Sequence, residues 1–358
     1  TYEFEDHAAV DRFFAEGEGY LYSRYDNPTV AQAGREIAAL EGAAAAAMFA
    51  SGMAAMSTAI LTLAAPGKRI VTQSGIYGGT TELMTNVLPG WGFTVDTRSR
   101  EALNRIDPGQ LRDAALIVLE TPTNPGLRIL DLAAVARAAR EAGVPTLVDS
   151  TFASPVFQRP VEHGIDLVMH SATKYLGGHS DLIGGVVAGD ADLISRIAAR
   201  RRILGGTMDS FSAYLLMRGL RTLAVRMEAH QRSALQVARF LQEHPAVVSV
   251  AYPGLEEHPD HAVARGQMDG FGGMVSFCLH GESATPRQVH DRLRLFHRAG
   301  SLGSIESLVS IPAEMSHRHV PREELDAVGV PAGLLRLSVG LEDVDELIAD
   351  LDQALAAT

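Results

Sequence analysis

From about residue 28 onward, short apolar, β-branched runs alternate with stretches whose apolar residues recur at helical spacing, and few folds accommodate that alternation. Strands joined through helices pair in parallel, so the pattern predicts an α/β fold with a mainly parallel sheet covered by helices on both faces. The predicted strands are Arg69 to Gln73, Phe93 to Asp96, Leu116 to Glu120, Thr146 to Asp149, Leu167 to His170 and Ile183 to Ala188. Predicted helices between them include Thr29 to Leu40, Gly79 to Val87, Leu132 to Glu141 and Asp190 to Arg202. Asp131 can cap the third of these, and Gly143 with Pro145 terminates it. After a helical stretch from Ser210 to about Glu243 come predicted strands Val247 to Tyr252, Gly273 to Leu279 and Leu334 to Val339, then a last helix Val344 to Leu355. That change of character predicts a smaller α+β domain.

Gly42 to Pro66 carries no charge and is long enough to span a bilayer. Its residues are mostly Ala, Gly, Ser, Thr and Met, and they lack the sustained Leu/Ile/Phe hydrophobicity that drives insertion. The segment is read as two buried helices joined by a small-residue turn at Ser51-Gly52, and no membrane partner is expected. The formal charge of -12 arises from acids scattered among bases, with no basic stripe to displace the counterions of a phosphate backbone. Nucleic acid is therefore not an expected partner. One cysteine, Cys278, excludes an internal disulfide and a thiolate zinc cluster, and it is read as a buried core thiol. No metal site is expected. The first residues, with Glu3, Glu5, Asp6 and Asp11, lack the basic start and apolar core of a signal peptide, so a cytoplasmic location is the expectation.

Sheets of this kind bind ligands beyond the carboxyl ends of their strands. A dinucleotide would need G-x-G-x-x-G between the first strand and helix, but the near match at Gly17-Glu18-Gly19 follows no strand and continues to Tyr22. The strand ends offer instead Ser51-Gly52-Met53 opening a helix, Asp149 ending a strand, and Ser171-Ala172-Thr173-Lys174 ending another. Together these are the parts of a pyridoxal-phosphate (PLP) site. Backbone N–H groups at a helix N-terminus hold a phosphate, and the hydroxyls of Ser171 and Thr173 add donors. A carboxylate such as Asp149 keeps a pyridine nitrogen protonated, and a lysine beside these groups supplies a Schiff base. Taken singly, Asp149 could be a cap, Lys174 a surface charge and Ser51-Gly52 a turn. Their order across successive strand ends is what carries the reading.

Further runs along the chain carry a resemblance. They are Tyr22-Ser23-Arg24, Asn27-Pro28-Thr29, Tyr77-Gly78-Gly79, Glu120-Thr121-Pro122-Thr123-Asn124-Pro125, Val148-Asp149, His170 to His179, Arg218-Gly219-Leu220, Gly270 to Met274, Ser301-Leu302-Gly303 and Leu335-Arg336 onward to Asp343. With these the chain resembles the Cys/Met-metabolism family of PLP enzymes, which contains cystathionine γ-synthases, cystathionine β- and γ-lyases, methionine γ-lyases and O-acyl-homoserine sulfhydrylases. The resemblance implies the type I, aspartate-aminotransferase-like fold with a mainly parallel seven-stranded sheet. It divides the chain into an arm over 1–26 that reaches a neighbouring subunit, a large PLP-binding domain over 27–223 and a smaller substrate domain over 224–358. It implies that Lys174 is the Schiff-base lysine and proton shuttle and that Asp149 pairs with the pyridine nitrogen. Gly52, Met53, Ser171 and Thr173 would bind the phosphate, joined by Tyr22 and Arg24 from the neighbouring subunit. Tyr77 would stack on the ring and act as acid/base toward the leaving group, while Arg336, Asn124 and Ser301 would grip a substrate carboxylate. A homotetramer built from dimers with shared sites is implied as well. The chain departs from the pattern at Ser150, Ser304, Gly79 and Gly300, where relatives often carry Asn, Gly, Cys (methionine γ-lyases) and Glu.

The expected substrate is a small sulfur-containing or homoserine-type amino acid. Elimination at a C–S bond is the first reading, because Gly300 removes a group that would meet the far end of cystathionine, and γ-replacement on an O-acyl-homoserine is the alternative. A catalytically silent PLP binder would predict a broken substrate grip, whereas Lys174, Tyr77 and Arg336 are all present. His258 and His261 are read as part of a solvated polar loop, Arg200-Arg201-Arg202 as a solvated helix end, and His317 with His319 as candidates for the substrate entrance.

Overall fold

The computed structural model describes residues 1–279, 284–318, 322–327, 330–331 and 333–356. Its larger sheet contains β1 (Ala45–Phe49), β2 (Arg69–Gln73), β3 (Thr94–Arg98), β4 (Ala114–Glu120), β5 (Thr146–Asp149), β6 (Leu167–Ser171) and β7 (Gly185–Gly189). They lie in the order β1-β7-β6-β5-β4-β2-β3. Only β7 runs against its neighbours. The predicted fold is therefore present, with β2 and β5 at the predicted bounds.

The apolar residues of β4 show why this sheet sits in the middle of the chain's core. Leu116 and Val118 join the cluster that includes Met56 and Ile60 of helix Gly52–Leu63, together with Ile194 and Ile197 of helix Ala191–Leu204. Ile117 and Leu119 face the other way, into a cluster with Leu132, Val135 and Ala139 of helix Leu132–Ala142. A period of two thus buries both faces of one strand. Each such side chain contributes about 1.5–3 kcal/mol on burial. Asp131 caps that helix by accepting from Ala134 N at 2.9 Å, and Gly143 ends it at φ 70°.

Gly42 to Pro66 is not two helices. Ala45–Phe49 is an edge strand paired with β7, followed by the single helix Gly52–Leu63. Alanine favours helix locally, but ladder hydrogen bonds to a strand some 140 residues away override that preference. The small side chains also let helix Pro28–Glu41 pack closely on the strand, where Gly34 leaves only 3.3 Å between an added Cβ and Ala46 O.

The helical stretch after residue 210 is two helices, Ser210–Leu220 and Leu223–Glu243. Beyond it a second sheet contains β8 (Val247–Ala251), β9 (Met274–Leu279), β10 (His297–Arg298), β11 (Leu308–Ser310) and β12 (Leu334–Ser338), in the order β10-β11-β12-β9-β8. Two of its strands, β10 and β11, are too short to show a period in the sequence. Val275, Phe277, Leu335 and Leu337 pack on Val237 and Leu241 and on Leu347 and Leu351 of helix Val344–Leu355. Arg336, between two of these core residues, projects from the opposite face, in register with Ser276 and Ser310. Cys278 is only partly buried and packs with Leu325, Val330 and Leu334 rather than in the main core. Burial nevertheless pushes its thiol above the usual range.

Candidate active site

Between β2 and β4 the chain's direction of travel along the sheet reverses, which opens a crevice at the carboxyl ends of these strands. A cavity of about 720 Å³ lies there, bounded by Ser51, Gly52 and Met53, by Tyr77, by Asp149, by Ser171, Thr173 and Lys174, and by Ser301 and Arg336 from the second sheet's side.

Ser51 caps helix Gly52–Leu63 by accepting from Ala54 N at 3.1 Å. The amides of Gly52 and Met53 stand ahead of the first intrahelical bond and remain available to an anion. Gly52 lets the helix start approach Ser171 closely, since a Cβ would lie 3.0 Å from Ser171 Cβ and 3.2 Å from its Oγ and would force one of them to shift. Thr173 is fixed by its neighbour, donating to Gly184 O at 3.2 Å and accepting from Gly184 N at 3.0 Å.

Asp149 is 7% exposed and takes hydrogen bonds from Thr151 N at 2.9 Å and Thr151 Oγ1 at 2.5 Å, both on Oδ1. Burial raises its pKa, opposed by these bonds and by the charge of nearby His170. Among the described residues no basic side chain hydrogen-bonds it, and Oδ2 accepts nothing.

Lys174 Nζ donates to Ser301 Oγ at 2.6 Å. Burial, with the charge of Arg336, lowers its pKa to about 8. Arg336 is 4% exposed and donates from Nη1 to Asn124 Oδ1 at 2.7 Å and from Nη2 to Ser301 O at 3.0 Å, while Nε has no partner. Its pKa falls to about 10, chiefly through burial. Ser301 takes φ 101°, a conformation that costs a non-glycine residue about 1–3 kcal/mol. Its carbonyl and hydroxyl are both engaged, which holds it there. The Tyr77 ring lies over Gly79, where an added Cβ would stand 2.6 Å from Cε1, and the residue lines the cavity while 39% exposed.

Two participants were not singled out from the sequence. Thr151, two residues beyond Asp149, follows the local pattern in which a carboxylate accepts from the backbone just ahead of it. Glu120 ends an otherwise apolar strand, and its two oxygens accept from Tyr77 N at 2.9 Å and Asn124 N at 2.7 Å.

Tyr22 and Arg24 do not line the cavity of their own chain. Arg24 donates to Arg202 O, and its guanidinium stands 4.9 Å from the Tyr25 ring centre. Several side readings need correction. Arg201 is not at a solvated helix end but 5% exposed, donating to Met48 O at 2.7 Å and Tyr25 O at 3.3 Å. His258 is buried in a loop organised by Asp260, which binds Arg100, Arg128 and Ile129 N. Burial takes His258 down to about 4. His317 is buried and donates to Ile76 O at 3.2 Å, so it props the Tyr77 loop from behind instead of lining the entrance. His319 lies outside the described residues. Among the described residues no three His, Cys, Asp or Glu side chains gather for a metal, and no helix is long and apolar enough to cross a membrane.

The donor set fits pyridoxal phosphate. Free helix-start amides and the Ser171 hydroxyl suit its phosphate, a buried carboxylate with an open oxygen suits a protonated ring nitrogen, and an amine of lowered pKa suits covalent attachment.

Comparison with known proteins gives the same answer. The family model described as "Cys/Met metabolism PLP-dependent enzyme" matches residues 1–356. Cystathionine gamma-lyase of Bacillus subtilis (strain 168) is 44% identical over 342 residues, covering 94% of this chain and 89% of the relative. Cystathionine gamma-synthase of Mycobacterium bovis is 42% identical over 338 residues, covering 94% and 86%. The crystal structure of cystathionine gamma-lyase from Lactobacillus plantarum complexed with L-serine superposes with a TM-score of 0.92 at 39% identity, covering 99% of this chain and 91% of that one. On this match over the whole chain, and on a site with the donors the cofactor requires, the chain belongs to the Cys/Met-metabolism family of PLP-dependent enzymes.

Proposed function

We propose that the protein cleaves the carbon–sulfur bond of a sulfur-containing amino acid by PLP-dependent β/γ-elimination, releasing a 2-oxo acid and ammonia. The observation that carries this reading is the convergence of Lys174 Nζ, Tyr77 and Arg336 on one cavity. The cofactor, when bound, supplies an electron sink that makes the substrate Cα–H acidic. Gly52, Met53 and Ser171 hold its phosphate, joined by Thr173 when its hydroxyl proton turns from Gly184 O, and Asp149 holds its ring nitrogen. Lys174 attaches the cofactor and then moves a proton at Cα, a role suited to an amine whose pKa is lowered to about 8. Arg336, oriented by Asn124 and Ser301, grips the α-carboxylate with a planar fork. The Tyr77 hydroxyl hands a proton to the departing sulfur.

The second reading is γ-replacement on an O-acyl-homoserine, supported by a γ-synthase relative at nearly the identity of the γ-lyase relative. Purified protein incubated with methionine, cystathionine, cysteine, homocysteine or O-acyl-homoserines decides between them. Elimination gives 2-oxo acid and ammonia without added thiol, and replacement gives a thioether only when thiol is present. Turnover of none of these substrates by cofactor-loaded protein would overturn both readings.

Tyr22 and Arg24 reach the site of a neighbouring subunit in this reading, and the protein is a cytoplasmic homotetramer built from such dimers. An exposed apolar side chain beside Arg24 supports the contact: Ile203, next to the Arg202 whose carbonyl accepts from Arg24, is 79% exposed. Chains carrying Arg24→Ala and chains carrying Lys174→Ala should each be nearly inactive. Mixed with subunit exchange, they should recover about a quarter of wild-type activity, since half the random dimers hold one intact site. Proven exchange without recovery rules out the sharing.

A further inference from the structure

Glu120 occupies the end of β4 beside Asp149, its register partner on β5, and is 5% exposed. Its two oxygens are divided between two segments: Oε2 accepts from the amide that carries Tyr77, and Oε1 accepts from the amide of Asn124. Asn124 in turn accepts from Arg336, whose other nitrogen binds Ser301 O, and Ser301 Oγ accepts from Lys174. A continuous chain of hydrogen bonds therefore runs Tyr77–Glu120–Asn124–Arg336–Ser301–Lys174. Glu120 is the one link in it that touches the Tyr77 segment. Elsewhere the segment is held by packing and by His317: an added Cβ on Gly78 would lie 2.2 Å from Ser316 O, and His317 donates to Ile76 O at 3.2 Å.

A buried carboxylate at this point is costly. Burial and the neighbouring Asp149 raise its pKa well above the usual range, while the two amides and Arg336 work in the opposite direction. An isosteric amide would fill the same space, but it would present an NH₂ to one of two N–H donors. Only a carboxyl group with both oxygens accepting can bridge two amides that belong to different loops. No ion pair joins Arg336 to a carboxylate among the described residues, and Tyr175, Tyr77 and Glu120 are the acidic groups whose fields act on it, Glu120 being the one carboxyl group among them.

We propose that Glu120 is a positioning residue that couples the two ends of the site, holding the Tyr77 segment in a fixed relation to the Asn124–Arg336 carboxylate grip. The proposal rests on the roles given above to Tyr77 and Arg336. Through this link the leaving-group proton donor and the carboxylate grip act as one unit, so disturbing either is felt at the other.

The test uses full-length holoenzyme and two measurements. The first is affinity for glycine, an α-amino acid without a leaving group, followed by the absorbance of the bound cofactor. Glu120→Gln should weaken glycine binding by about tenfold or more, as for a charge-assisted hydrogen bond lost two links away from the ligand. The second is a double-mutant cycle on kcat/KM between Tyr77→Phe and Asn124→Ala. With Glu120 present the two losses should deviate from multiplying by about tenfold; in the Glu120→Gln background they should multiply. If Glu120→Gln does not accumulate as folded holoenzyme, Glu120→Asp serves, because its shorter arm cannot reach both amides. A merely structural residue would lower cofactor content and the thermal midpoint and leave the coupling unchanged, and that result overturns the proposal. So does glycine affinity within twofold of wild type in Glu120→Gln. Arg336→Ala is the control for the underlying reading: if it too leaves glycine affinity intact, the carboxylate grip has been misassigned, whereas loss there with no effect at Glu120 removes the coupling alone.

Discussion

Lys174→Ala is expected to lower kcat by about three to four orders of magnitude, because it removes the group to which we assign both attachment of the cofactor and movement of the Cα proton. The chain has only two lysines, which makes the assignment easy to check. Lys68 is exposed ahead of β2, away from the cavity. Borohydride reduction should therefore fix a pyridoxyl label on Lys174 alone, and a label recovered on Lys68 would remove Lys174 from the mechanism. Attachment requires the neutral amine. Since burial and Arg336 lower the pKa of Lys174 from 10.5 to about 8, the neutral fraction grows as pH rises through about 8. Trapped label in cofactor-stripped protein given PLP should accordingly increase between about pH 7 and 9 and then level, well below the range of an ordinary lysine. An incorporation curve centred near 10 would show that the amine is not held as the structure has it.

Arg336→Ala should lower kcat/KM by about two to three orders of magnitude. The loss of one partner from a buried, hydrogen-bonded charge pair costs about 2–5 kcal/mol, and the middle of that span corresponds to such a loss. Cofactor content should stay normal, since Arg336 reaches Asn124 and Ser301 and none of the residues assigned to the phosphate or ring nitrogen. Arg336→Lys should recover little, because an ammonium on a flexible stem cannot span Asn124 Oδ1, Ser301 O and a planar carboxylate together. Steady-state kinetics with matched cofactor content measure this. Near-normal kcat/KM in Arg336→Ala for every amino-acid substrate would mean that another cation holds the carboxylate, and the buried Arg201, committed to Met48 O and Tyr25 O, is poorly placed to do so.

Much of the fold was written in local order. The β-branched runs gave β2 and β5 at their observed bounds, and Asp131 and Gly143 marked one helix correctly, because period, cap and turn each depend on a few neighbouring residues. The strand-end residues Gly52, Asp149, Ser171 and Lys174 were legible for the same reason: a parallel sheet delivers the ends of its strands to one edge, so their order along the chain predicts their proximity. Other features required the folded chain. Ala45–Phe49 reads as helix until β7 pairs with it, and Arg201 reads as a surface charge until Met48 O and Tyr25 O close over it. His258 reads as solvated until Asp260 draws Arg100 and Arg128 to its loop. Glu120 stood in a quoted motif with no role, since its two amide partners lie 43 residues before it and 4 residues after it. Above all, Asn124 and Arg336 meet across 212 residues and two sheets. Periodicity records which face of an element is apolar, and so it determined the layers. Which polar groups share a desolvated crevice, and which proton each then holds, depends on distances of a few ångströms between remote segments, and only the packing of the two sheets decided them.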